Sequence, residues 1–104
     1  MAFHDNGHIA TTIRIMEWLK TELLTGVTRL HRSLFYGTEK KAIEALTQIM
    51  VACYLLAKKL GHTYYRLDCS LEEKARQLLR QEEAEEALRE ELLELLQYLE
   101  SRKE

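Results

Sequence analysis

Residues 38–61 read TEKKAIEALTQIMVACYLLAKKLG, and the two apolar faces of this stretch decide the fold. Thr38 suits a helix cap, with Glu39 near the positive end of the helix. Lys58 and Lys59 fall in the last turn and Gly61 stops it, so the pattern predicts a helix running to Leu60. One face holds Ile43, Leu46, Ile49, Met50, Cys53, Ala57 and Leu60. The other holds Val51, Tyr54 and Leu55, with Glu44, Thr47 and Gln48 above them toward the N-terminus. A helix apolar on both sides needs cover on both sides. Two other short helices from a chain of 104 residues scarcely provide it. A second copy of the chain is the economical cover, which predicts a homodimer, or a higher helical oligomer, with this helix at its centre.

Composition agrees with a helical reading. The chain has no proline and four glycines beside abundant Leu, Ala, Glu, Lys and Arg, which points to an all-α fold. Its length allows one self-sufficient core. A net charge of −2 supplies no general pull toward nucleic acid or acidic lipid, so neither partner is expected. The opening MAFHDNGH has neither the basic start nor the apolar core of a secretory signal. The longest apolar run, Ile49 to Ala57, is nine residues, far short of the ~20 that span a bilayer. Cys53 and Cys69 match no zinc spacing and read as reduced thiols of a cytoplasmic protein.

The first helix is expected to start after Asp5 or Asn6, either of which can cap it. Its apolar positions, Ile9, Ile13, Met16, Leu19, Leu23, Val27, Leu30 and Leu34, keep helical spacing over seven turns. Lys20 falls near the middle of that stripe, where a cation needs a carboxylate partner, an anionic ligand or a route to solvent. Gly26 weakens the helix by about 1 kcal/mol relative to Ala and suits a bend or a close helix approach. Gly37 suits a left-handed stop. The stretch HTYYRLDC (62–69) reads as a connecting loop, after which Ser70 and Glu73 fit a capping box opening a third helix. QEEAEE (81–86) reads as a solvated helical bridge without a buried face. Leu88, Leu92, Leu93, Leu95, Leu96 and Leu99 then form an apolar surface. The chain therefore divides into a helical domain, 1–80, and a bridge with a Leu-rich arm, 81–104, that docks on a partner chain or frays in its absence.

Chemistry concentrates in the carboxylates. His4 and His8 have i, i+4 spacing but no adjacent third ligand, and neither they nor His31 and His62 are assigned catalysis. No glycine-rich phosphate loop and no nucleophile elbow is present. Arg14, Arg29 and Arg32 form a basic edge read as solvated. Glu17 and Lys20 are neighbours on one helix face. If the first two helices pack antiparallel, Glu17, Lys20, Glu22, Glu44 and Gln48 approach one polar pocket.

The stretches I-x-x-M-E-W-L-K-T-E-L-L (13–24), E-A-L-T-Q-I-M-V-A-C-Y-L-L-A-K-K-L-G (44–61) and R-L-D-C-S-L-E-E-K-A-R (66–76) carry a resemblance. Over residues 9 to 80 the sequence resembles the short MazG-like family, distant relatives of the all-α nucleoside triphosphate pyrophosphohydrolases. The resemblance implies an intertwined helical-bundle dimer and an ancestral Mg²⁺-dependent cleavage between the α and β phosphates of a nucleotide. Enzymes of that superfamily carry E-x-x-E on the first helix and E-E-x-x-D on the second, as magnesium ligands and helpers. Here Glu17 keeps the first acid and Lys20 replaces the second; Glu44 remains, while Ala45 and Gln48 replace an acid each. Glu17 and Glu44 are therefore the surviving metal-ligand candidates, and Glu17, Glu22 and Glu44 the surviving catalytic ones. Glu22, five residues from Glu17 and roughly 140° around the helix, does not simply replace the missing ligand.

Two functions follow. In the favoured one the chain is a degenerate helical dimer without pyrophosphatase activity that binds a nucleotide or a protein partner. No cofactor is then expected, and Lys20 supplies the charge once brought by the metal, pairing with Glu17 or Glu44 in a pocket with Gln48. In the alternative the chain is a divergent Mg²⁺-dependent nucleoside triphosphate pyrophosphohydrolase.

Overall fold

Strong helix formers uninterrupted by proline give four helices and no strand among the described residues. The computed structural model describes residues 2–81 and 85–102. Helix α1 spans Ala2–Tyr36, α2 Glu39–Lys59, α3 Tyr64–Leu79 and α4 Glu86–Arg102. They form two compact units, Met1–His62 and Thr63–Glu104, each a pair of packed helices. No helix among the described residues is long and apolar enough to cross a membrane.

In the first unit α1 begins at Ala2, upstream of the start expected from Asp5 or Asn6. The side chains of residues 2–6, including His4, lie outside the described residues. Both ends of α2 follow the sequence. Thr38 is extended, and its Oγ1 accepts the Lys41 N–H at 3.3 Å. At the other end Gly61 takes φ +92°. Its N–H donates to the Lys58 carbonyl and that of His62 to the Ala57 carbonyl, both at 3.0 Å, so two orphan carbonyls of the last turn are satisfied. Gly37 differs from expectation: its φ is not positive, and its N–H donates to the Ser33 carbonyl at 3.0 Å. Space is what requires glycine there, since a Cβ would lie 2.8 Å from Ser33 Cα.

The packing line between α1 and α2 is made of small residues. Leu19, Ala45 and Ala52 are buried, as is Gly26, where a Cβ would come within 2.9 Å of Ile49 Cγ1. Glycine and alanine let the two backbones approach, so the helix contact centres on Leu19 and Gly26. The apolar stripe read from the sequence meets that line at Leu19 and only partly elsewhere. Met16, Leu23 and Leu30 are half-buried, while Ile9, Ile13, Val27 and Leu34 are exposed, and Lys20 is exposed among them. On α2, Ile43, Leu46, Met50 and Leu60 are likewise exposed on one flank, with Val51 and Leu55 on the other.

The second unit corrects the reading of 62–69 as a loop. Thr63 caps α3 by accepting the Arg66 N–H at 3.0 Å, and the helix runs from Tyr64 through Ser70 without a break. Ser70 therefore lies inside the helix and does not open it. The extended-looking YYRLDC continues the apolar spacing of Leu71, Ala75 and Leu78, and its aromatic content does not outweigh that period. Ala75, Leu92 and Leu96 form the core, with Leu78 and Leu79 packed against it. Of the Leu-rich segment, Leu92, Leu96 and Leu99 are buried where α4 packs on α3, while Leu88, Leu93 and Leu95 stay exposed. The sequence division at residue 80 thus falls within this unit. The bridge is not helical at Gln81 or Glu85, and residues 82–84 lie outside the described residues. Arg89 reaches back to donate to the carbonyls of Leu79 at 2.8 Å and Gln81 at 2.7 Å. Arg102 binds Asp68 at 2.9 Å, and Arg76 binds Glu100 at 3.4 Å.

Candidate functional site

A helix turns about 100° per residue, so each side chain's direction follows from its offset to the buried line. Leu19 and Ala45 lie on that line. Glu22 and Gln48 each follow by three and fall on the same side of the antiparallel hairpin, joined by Glu44 one residue before Ala45. Lys20, one residue after Leu19, falls on the opposite side, and Glu17 points away from α2. The bonds agree with this geometry. Gln48 Nε2 donates to Glu22 Oε2 at 2.7 Å and to the Glu22 carbonyl at 3.0 Å. Arg29 Nη1 donates to Gln48 Oε1 at 3.1 Å. A primary amide donates and accepts at once, whereas an ionised carboxylate at this position would accept only and would meet Glu22 as a like charge.

The five candidate residues are thus brought together in two groups and not in one. Lys20 Nζ lies 2.8 Å from Glu17 Oε1, and both side chains are more than half exposed. Glu22 and Gln48 form the second group with Arg29, whose edge of α1 is expected from the sequence to be solvated. Three residues separate buried Gly26 from Arg29, as three separate Leu19 from Glu22, so the offset to the buried line is the signal that could have found it. Glu44 makes no ion pair among the described residues. It lines a cavity of about 300 Å³ with Arg29, Arg32, Ser33, Lys41 and Ala45. Next to it along the helices, Glu22 and Gln48 line a cavity of about 230 Å³ with Trp18, Val51 and Leu55. Among the described residues no three of His, Cys, Asp and Glu gather as a metal-ligand group. Cys53 and Cys69 form no disulfide among the described residues.

An antiparallel helical pair with carboxylates, amides and cations on its facing side defines the class: an all-α hairpin protein with a polar flank. A profile of the MazG-like family matches residues 9–95, and the chain belongs to that family. Searches of curated proteins and of solved structures returned no match.

Proposed function

We propose that the chain is a degenerate MazG-like module, a cytoplasmic helical homodimer that lacks nucleoside triphosphate pyrophosphohydrolase activity and binds a nucleotide or a protein partner. The observation that carries this reading is the Lys20–Glu17 pair at 2.8 Å. By the resemblance, Lys20 stands where the enzymes have a magnesium-ligating acid, and its ammonium holds the carboxylate that such an ion would need. Glu44, the other retained acid, shares its cavity with three cations, Arg29, Arg32 and Lys41. That lining attracts anions and repels a divalent cation. Mg²⁺ requires near-octahedral oxygen ligands, and this donor set does not fit it.

The dimer rests on the exposed apolar side chains of the first hairpin. Ile13, Leu24, Val27 and Leu34 of α1 and Ile43, Leu46 and Met50 of α2 are large, apolar and at least two-fifths exposed. Apolar surface of this extent marks an interaction site. A second copy presenting the same surface covers it by two-fold symmetry, and a higher helical oligomer extends the same contact.

One observation favours the divergent hydrolase instead: Glu22 and Glu44 line neighbouring cavities on one side of the hairpin. A single assay separates the two. Purified protein with Mg²⁺ or Mn²⁺ and a panel of nucleoside triphosphates is expected to release no pyrophosphate above the protein-free control. Robust turnover that Glu44→Ala abolishes would establish the hydrolase and overturn the degenerate reading.

A further inference from the structure

We propose that the cavity between α1 and α2 binds a phosphate monoester directly through side-chain cations, without a metal, and seats the planar ring of the same small molecule against Trp18. This deepens the nucleotide-binding branch of the function proposed above and rests on it.

The charge of the cavity carries the first half. Arg29, Arg32 and Lys41 face it with a single carboxylate, Glu44, leaving an excess of two positive charges in a chain whose net charge is −2. Neither Arg32 nor Lys41 makes an ion pair among the described residues. Like charges held around one concavity repel each other, and a dianion placed among them converts that repulsion into attraction. A phosphate monoester carries about −1.5 to −2 charges near neutral pH and offers three acceptor oxygens. The two guanidinium groups present planar forks that suit those oxygens. One donor of Arg29 is committed to Gln48, which fixes the guanidinium beside the cavity and leaves its other donors available. Ser33, half-buried on the cavity wall, has its one O–H committed to the Arg29 carbonyl at 2.8 Å, so the cations are the donors left to the anion.

The neighbouring cavity carries the second half. Trp18, Val51 and Leu55 line it with exposed apolar surface beside the amide of Gln48. Ala45 floors the first cavity and Ala52 the second. Seven residues of helix separate them, about 10 Å along the axis. That is the reach of a nucleoside monophosphate from phosphate to base. A phosphoserine would use the cations, but it carries no planar ring to place against Trp18.

The test uses the full chain in EDTA, with Trp18, the single tryptophan, as a fluorescent reporter. Adenosine 5′-monophosphate, inorganic phosphate, adenosine and a phosphoserine peptide are titrated in turn, with calorimetry alongside. Adenosine monophosphate is expected to bind saturably and shift the Trp18 emission, inorganic phosphate to compete with it, and adenosine to bind at least about tenfold more weakly. Arg32→Gln and Lys41→Gln are each expected to weaken monophosphate binding about tenfold, whereas Arg80→Gln removes a charge from the second unit and leaves binding unchanged. Circular dichroism of each variant verifies that the helices persist. No saturable binding of either phosphate or monophosphate overturns the proposal, as does binding insensitive to both cavity substitutions. Preference for the phosphoserine peptide overturns it in favour of a protein partner. Because binding is read without metal, a positive pyrophosphate assay would defeat the degenerate reading while leaving this result to stand or fall separately.

Discussion

The two hairpins of this chain solve the same packing problem in opposite ways. The second buries leucines between its helices, while Leu71, Leu88, Leu93, Leu95 and Tyr98 stay exposed. Ala75, Leu92 and Leu96 bury one another, and cross-helix pairs join Asp68 to Arg102 and Arg76 to Glu100. The first buries mainly small side chains along one line, Gly26, Ala45 and Ala52 beside Leu19, and leaves its larger apolar residues outside. Both hairpins leave apolar side chains outside, and the dimer proposed above rests on those of residues 1–62.

Substitutions can break this contrast from either side. The largest effect is expected in the leucine core of the second unit. Leu96→Ala should cost about 3 kcal/mol, through lost burial and the void left behind, read as a lowered urea midpoint for that unit. Next comes the exposed flank of the first hairpin, where Met50→Glu should weaken self-association by about 10- to 100-fold in sedimentation velocity, with helix content unchanged. An unchanged sedimentation coefficient at micromolar concentration would deny that flank its role. Gly26→Ala is expected to cost about 1 kcal/mol net, because the crowding of Ile49 outweighs the gain in helix propensity. Adding Ile49→Ala should recover part of that crowding term in a double-mutant cycle. The smallest effect belongs to Lys20→Gln, which should change the stability of the monomeric chain by under about 1 kcal/mol, since exposed ion pairs contribute little.

The sequence and the structure agree most closely where local chemistry decides. Thr38 and Gly61 bound α2 because a cap and a left-handed stop are properties of single residues. The Glu17–Lys20 bond follows from i, i+3 spacing alone. The start of α3 was also legible in principle, since Thr63 precedes a helical recurrence of Tyr64, Leu67, Leu71, Ala75 and Leu78, but two adjacent tyrosines obscured it. What could not be read is the rotation of α1 about its own axis. Apolar residues occupy more than one of its faces, and hydrophobicity does not say which face meets α2 and which stays open. The backbone fit at Gly26 decides that. The same rotation divides the candidate pocket, sending Lys20 to one side and Glu22 with Gln48 to the other. The Glu22–Gln48–Arg29 chain depends on the register between two helices, a quantity no spacing within either helix contains.

Arg89 gives the second hairpin a property that its core alone would not. Its guanidinium holds the carbonyls of Leu79 and Gln81, so the last turn of α3 is finished by a side chain from α4. Neither helix can therefore fray at this end without releasing the other. In amide hydrogen exchange the C-terminal turn of α3 and the first turns of α4 should open together, with one shared opening free energy. Arg89→Ala should uncouple them, so that exchange at Leu79 and Arg80 outruns exchange at Leu92. A single arginine thus sets the cooperativity of the unit.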